Sequence, residues 1–249
     1  MQSKYLYHNI QENVPYKRLI MFFAGWGMDD KPFRHIKSEN YDLIIFYNYS
    51  RFGFGECVTP FFNLFNTYSQ IHIIAYSMGV WGASVAFEKF LDSLDKACTP
   101  QMIHRMMKKI DKRIAINGTL FPINDVWGIP HDIFTKTIEN LPRGMDKFIL
   151  RMCGNKEIYS GYQQCLPERS AEDAKQELIS IKENFYISNA IKWNKAVISA
   201  ADYIFPTENQ LTFWEDYKIS TNPRLEIKEI PGGHYPFSAL TDWEEVFNL

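Results

Sequence analysis

The stretch that most constrains this chain is Ile71-His72-Ile73-Ile74-Ala75-Tyr76-Ser77-Met78-Gly79-Val80-Trp81-Gly82-Ala83. A short apolar, β-branched run ends abruptly at Ser77, and a helical pattern rich in small residues begins at once. β-Branched residues fit a pleated, packed surface. Small residues let the following helix pass close to the strand that feeds it. The stretch therefore reads as strand, sharp turn and helix, with a serine at the apex and a helix N-terminus beside its hydroxyl. The plainer reading is a serine that only caps the helix, because Ser is a favoured N-cap. The rest of the chain decides between them.

Further strands are expected at residues 4–8, 18–24, 42–47, 70–76, 113–117, 196–200 and 225–230. Most are near-solid apolar runs, the pattern of strands buried on both faces of a parallel sheet. Helices are expected at 78–94, in a shorter form near 101–110 within a long 96–112 connection, and at 241–247. Strands alternating with helices indicate a doubly wound, mostly parallel α/β sheet. One region breaks the alternation. From Gly118 to about Trp193 there is no convincing strand, and helical patterns fall at 131–141, 143–152, 157–164 and 171–185, with Pro122, Pro130, Pro142 and Pro167 between. The expected division is a core of residues 1–117 and 194–249 with an all-helical lid at 118–193. A separate helical domain fits less well, because both flanking strands must return to one sheet.

A serine hydroxyl needs a base to activate it, and the base needs an acid to orient it. In the α/β-hydrolase fold the serine sits in a G-x-S-x-G turn and the chain order is Ser, Asp or Glu, then His. Here the turn is A-x-S-x-G, with Ala75 in the first position. Asp202 follows the 196–200 strand, and His234 follows Pro231-Gly232-Gly233 after the last strand. Taken singly, Asp202 could cap the helix holding Asn209–Trp214, and His234 could be a surface histidine. Glu208 is a rival acid in the same loop region. His8, His35 and His72 precede the serine or lie in its strand, and His104 and His131 precede the carboxylate. Elbow, acid and histidine in this order, each at the C-terminal end of a strand, make a combination far more specific than its parts. An oxyanion hole is expected from the backbone N–H of Met78 and of Trp26, in Ala24-Gly25-Trp26-Gly27 after the 18–24 strand. The Trp26 side chain can wall the pocket at the same time.

Composition narrows the rest. A length of 249 residues suits one α/β domain with an insertion. A net charge of −2 supplies no basic field for nucleic acid. The 16% aromatic content suggests apolar pockets as well as core. Cys57, Cys98, Cys153 and Cys165 form no C-x-x-C pair, so neither a zinc site nor a disulfide framework is expected. No apolar run reaches membrane-spanning length, and Met1-Gln2-Ser3-Lys4-Tyr5 does not open a signal peptide. The expectation is a cytoplasmic monomer with no metal or organic cofactor.

Five stretches together carry a family resemblance: Phe23-Ala24-Gly25-Trp26-Gly27, Ala75-Tyr76-Ser77-Met78-Gly79-Val80-Trp81, Ala115-Ile116-Asn117-Gly118-Thr119, Gly128-Ile129-Pro130 and Gly233-His234-Tyr235. Through nearly its whole length the chain resembles the BioG-type pimeloyl-[acyl-carrier protein] methyl ester esterases. Ala75 in the elbow and the Ala24-Gly25-Trp26-Gly27 loop are typical of that group. Tyr76 stands where some relatives have tryptophan, and the 96–112 connection looks long. The resemblance implies an α/β-hydrolase that removes the methyl group from a pimeloyl methyl ester held on acyl-carrier protein, in biotin synthesis. It also implies a docking face for that acidic partner. Arg143, Lys147 and Arg151 share one face if 143–152 is a helix, with Phe148 and Met152 turned to the pocket or core. A solvated helix face is the plain alternative, and Arg105, Lys108, Lys109, Lys112 and Arg113 form a rival basic patch. Other readings are a small-ester carboxylesterase, a thioesterase, or a catalytically silent hydrolase fold used as a binding module. The intact Ser77, Asp202 and His234 set argues against the last.

Overall fold

The computed structural model describes residues 1–8, 16–50 and 58–249. Its frame is a seven-stranded sheet. In chain order the strands are β1 (Gln2–Tyr7), β2 (Arg18–Phe23), β3 (Asp42–Tyr47), β4 (Gln70–Tyr76), β5 (Ile110–Ile116), β6 (Lys195–Ser199) and β7 (Glu226–Ile230). Across the sheet the order is β1-β3-β2-β4-β5-β6-β7. β1 pairs antiparallel with β3, and every other pairing is parallel. Successive side chains of a strand point to opposite faces, so each solid apolar run serves two cores. Leu19, Met21 and Phe23 enter one core cluster, and Ile20 and Phe22 the other.

The helices are α1 (Val58–Thr67), α2 (Met78–Ala97), α3 (Pro100–Met107), α4 (His131–Asn140), α5 (Met145–Cys153), α6 (Lys156–Tyr162), α7 (Ala171–Asn184) and α8 (Thr207–Ser220). α1 carries no clear helical period in the sequence. Its dense Phe content and Pro60 obscure the period, yet Phe61, Leu64 and Phe65 are buried at helical spacing, and proline is tolerated in a first turn. The 96–112 connection is shorter than expected. α2 runs on to Ala97, Thr99 caps α3 by accepting from the Met102 N–H, and β5 begins already at Ile110. The final helical segment is a 3-10 helix, Trp243–Asn248, with an Asp242–Glu245 capping box.

Helices α4 to α7 all lie between β5 and β6, which are neighbours in the sheet. α5 starts at Met145, so Arg143 belongs to the preceding turn and not to the helix. Cys98, Cys153 and Cys165 are free, and Cys57 lies outside the described residues. Among the described residues no helix is long and apolar enough to cross a membrane.

Candidate active site

The turn from β4 into α2 is as sharp as its residues suggest. Ser77 has φ +56° and ψ −127°, a conformation that costs a non-glycine residue about 1–3 kcal/mol. Its side chain makes no capping bond to α2, so the plain reading of this serine does not hold. The turn is pinned by the Ser77 N–H, which donates to Ile116 O at 2.8 Å. Two glycines are required by close approach. A Cβ at Gly79 would stand 2.2 Å from Phe23 O, and one at Gly118 would stand 2.3 Å from Ser77 O. These contacts press the ends of β2 and β5 against the elbow.

Three strand ends bring their side chains together here. His234 Nε2 lies 2.9 Å from Ser77 Oγ, and His234 Nδ1 lies 2.7 Å from Asp202 Oδ2. With Nδ1–H donated to the carboxylate, Nε2 is left to accept the serine proton. All three residues are buried. Asp202 is held by more than the imidazole. Its Oδ1 accepts from the Ile204 and Phe205 N–H groups, both at 2.9 Å, and its Oδ2 accepts from Gln210 Nε2 at 3.0 Å. It does not cap α8, whose N-cap position is Pro206, and Glu208 is exposed on the first turn of that helix.

Sequence reasoning missed two residues that hold this set. Gln210 is fully buried beneath Asp202. Asn117, at the end of β5 with φ +48°, donates through Nδ2 to Ser199 Oγ and to His234 O, both at 2.8 Å. Its Oδ1 accepts from the Ser199 N–H at 2.7 Å. One side chain thus ties β5, β6 and the histidine loop together. The available signal was the Asn117-Gly118 dipeptide, since asparagine tolerates left-handed backbone better than most residues.

Trp26 and Met78 line the cavity of about 40 Å³ that holds Ser77 and His234. Met78 opens α2, so its N–H lies among those a helix leaves without an internal partner. The Trp26 ring meets Phe148 edge-on at 4.8 Å. Phe148 and Met152 line the same cavity, and Tyr203, 68% exposed, stands at its rim. Ile133, Thr137, Phe148 and Arg151 line both this cavity and a groove of about 660 Å³ between α4 and α5. Arg143, Lys147 and Arg151 all line that groove with Lys136, although Arg143 lies outside the helix. The rival basic patch lies around the start of β5, whereas Ser77 follows the end of the parallel β4. There Lys109 Nζ donates to Phe65 O and Arg113 to Lys192 O.

A family model described as pimeloyl-ACP methyl esterase BioG matches residues 4–246. The chain belongs to the BioG family. It is similar to the crystal structure of BioG from Haemophilus influenzae, at 31% identity over 99% of both chains with a TM-score of 0.73. It is 37% identical over 229 residues to a Bacteroides fragilis (strain 638R) protein named malonyl-[acyl-carrier protein] O-methyltransferase. That match covers 91% of this chain but 41% of the relative, so the chain spans less than half of that protein's length. The 2-hydroxy-6-oxo-6-phenylhexa-2,4-dienoate hydrolase of Rhodococcus sp. strain RHA1 shares the fold, with a TM-score of 0.55 at 13% identity over 94% of this chain and 91% of that one. This BioG-family chain thus has the α/β-hydrolase architecture.

Proposed function

We propose that this chain is a serine carboxyl esterase that hydrolyses the methyl ester of pimeloyl-[acyl-carrier protein], giving pimeloyl-[acyl-carrier protein] and methanol for biotin synthesis. The observation that carries this reading is the Ser77–His234–Asp202 contact geometry within a BioG-family chain. Ser77 Oγ attacks the ester carbonyl while His234 Nε2 takes its proton. Asp202 holds the Nδ1–H and stabilises the imidazolium that forms. The Trp26 and Met78 N–H groups receive the oxyanion. The tetrahedral adduct collapses, His234 returns the proton to the departing methoxide, and methanol leaves. Water, deprotonated by His234, then attacks the acyl-enzyme, and a second collapse frees the carboxylate and restores Ser77. No step needs a metal or organic cofactor.

The substrate assignment draws on the family description and on the Bacteroides relative, whose name is that of an enzyme placing a methyl group on an acyl chain held by acyl-carrier protein. In this reading residues 118–193 act as the lid, and residues 1–117 and 194–249 as the hydrolase core. The groove with Arg143, Lys147 and Arg151 receives the acidic carrier protein, and the acyl arm runs from the groove to Ser77. The test is direct hydrolysis of pimeloyl-[acyl-carrier protein] methyl ester, followed by intact mass, beside complementation of a biotin auxotroph lacking its pimeloyl methyl esterase. Loss of one CH₂ from the acylated carrier protein and restored growth are expected. Release of free carrier protein would make the chain a thioesterase instead.

A further inference from the structure

The loop that carries Trp26 is not held by the sheet alone. Gly27 N–H donates to Glu177 Oε2 at 3.1 Å, and the Trp26 indole N–H donates to Ala174 O at 2.6 Å. Both acceptors belong to α7. The other carboxylate oxygen, Glu177 Oε1, accepts from the Tyr49 N–H at 2.6 Å. The Tyr49 hydroxyl in turn donates to Ala24 O at 2.7 Å. One carboxylate therefore fixes the Gly27 end of the loop directly and the Ala24 end through Tyr49. Glu177 is fully buried, and its charge is met by Arg169 Nη1 at 2.7 Å, whose side chain is 7% exposed. Arg169 is itself anchored through Nε to Asp173 Oδ2 at 2.7 Å.

A buried ion pair of this kind is weak evidence for stability, because apolar residues of similar volume often serve the fold as well. What apolar residues cannot do is accept hydrogen bonds from the backbones of two separate loops. A carboxylate with two oxygens does so, and it fixes the direction of the peptide units around Trp26. We infer that Glu177, charged and oriented by Arg169, is the positioning residue of the oxyanion loop. The last helix of the inserted segment is then part of the catalytic apparatus and not only a cover over it. This inference rests on the esterase reading and deepens it.

The experiment uses the full chain, with p-nitrophenyl butyrate as substrate and an alkylboronic acid as the tetrahedral mimic bound at Ser77. Glu177→Gln keeps the shape but turns an NH₂ toward one of the two backbone donors. A small misplacement of an oxyanion donor is expected to lower kcat about 10–100-fold. KM should stay within about threefold, and the boronate Ki should rise in step with the loss in kcat/KM. Melting temperature checks that the variant is folded. Should Glu177→Gln fail to fold around an unpaired Arg169, the double variant Arg169→Met with Glu177→Gln leaves no unpaired charge of the pair buried and is read in the same way. Folded variants with kcat within about twofold of wild type overturn the inference, as does a fall in kcat with an unchanged boronate Ki. Ser77→Ala is assayed alongside. If that variant stays active, the esterase reading itself has failed; if it is dead while the Glu177 variants run normally, only the positioning role has failed.

Discussion

Two histidines of this chain are buried to almost the same degree, His234 at 2% and His72 at 1% exposure, and they sit near opposite ends of the sheet. Their surroundings differ in kind. Both ring nitrogens of His234 have side-chain partners, Ser77 on one side and Asp202 on the other. His72 accepts one bond, from the Lys112 N–H at 3.2 Å, and its Nε2 has no partner among the described residues. The His72 ring packs against Tyr41 and Phe247 at centroid distances of 5.2 and 4.8 Å. Around His234 the backbone is strained, with Ser77 and Asn117 both at positive φ, whereas His72 keeps strand backbone at negative φ, in register with Ile20 of β2 and at a register shift against β5. Burial alone therefore does not set the two imidazoles apart. What does is the full set of partners around His234, held by backbone that a relaxed chain avoids.

The comparison breaks first at the serine. Ser77→Ala should lower p-nitrophenyl butyrate turnover by about 10⁶-fold, the usual cost of losing a triad nucleophile. Melting temperature should hardly move, since only one hydroxyl is removed from a position that caps nothing. Turnover within about tenfold of wild type would reduce the Ser77–His234 contact to a structural bond. Asp202→Asn comes next. An amide at this position leaves the imidazole in place but favours the wrong tautomer, at a cost of about 10⁴-fold in kcat. The exposed Glu208 supplies the control: Glu208→Gln should leave kcat nearly unchanged, and the opposite ranking would move the acid role to Glu208.

The sheet was legible in the sequence because its signals are local. Solid apolar runs mark β2, β3 and β4, and the boundaries of β3 and β4 coincide with those runs. Ser77, Asp202 and His234 could be named because chain order and strand ends restrict where a serine, an acid and a histidine can meet. Asn117, Gln210 and Glu177 could not. Asn117 and Glu177 act through hydrogen bonds to residues far away in the chain, and Gln210 through bonds to Asp202 and Phe205 across the loop before α8. Only the Asn117-Gly118 pair carries a local sign of its conformation. Glu177 reads as one more acidic residue in a charged helix until α7 is seen to bury it against Tyr49 and Gly27. α1 was hidden for the opposite reason, because too many of its residues are apolar for a helical period to stand out.

The quieter histidine yields a prediction about stability. Burial, the largest influence, pushes the His72 pKa down from 6.5 to about 4; Asp111 opposes the shift, while Lys112 and Arg18 add to it. Above pH 6.5 His72 is neutral in both the folded and the unfolded chain and contributes no pH dependence. As pH falls from 6.5 toward 4, the unfolded chain takes up a proton that the folded chain refuses, so stability is lost across that window. The full loss amounts to up to ~3 kcal/mol. His72→Phe, whose ring suits the aromatic surroundings, removes the titration while giving up the bond from Lys112. Urea unfolding at about pH 7.5 and about pH 4.5 separates the two effects, because the lost bond is a constant offset and the titration is a slope. The variant should lose less stability on acidification than the wild type. Equal losses would mean that His72 titrates as an exposed histidine does.

The smallest expected effect concerns the groove beyond His234. Arg143, Lys147 and Arg151 line it together with Glu139, so the face is basic without being uniformly so. Charges at a rim act mainly on encounter, and their reach is limited to about 10 Å at 0.1 M salt. Arg143→Glu with Lys147→Glu changes this rim while leaving Arg151, which borders the cavity of Ser77 and His234, in place. KM for pimeloyl-[acyl-carrier protein] methyl ester should rise about tenfold more than KM for p-nitrophenyl butyrate. The wild-type KM for the carrier-protein ester should also climb with salt, and the variant's should climb less. A small ester has no acidic protein attached to it, so it reports on the pocket and not on the groove. Equal shifts on the two substrates would make these residues supports of α5 rather than docking groups. No shift on either would return the choice to the basic patch at the start of β5, whose distance from Ser77 makes it the harder route for an acyl arm.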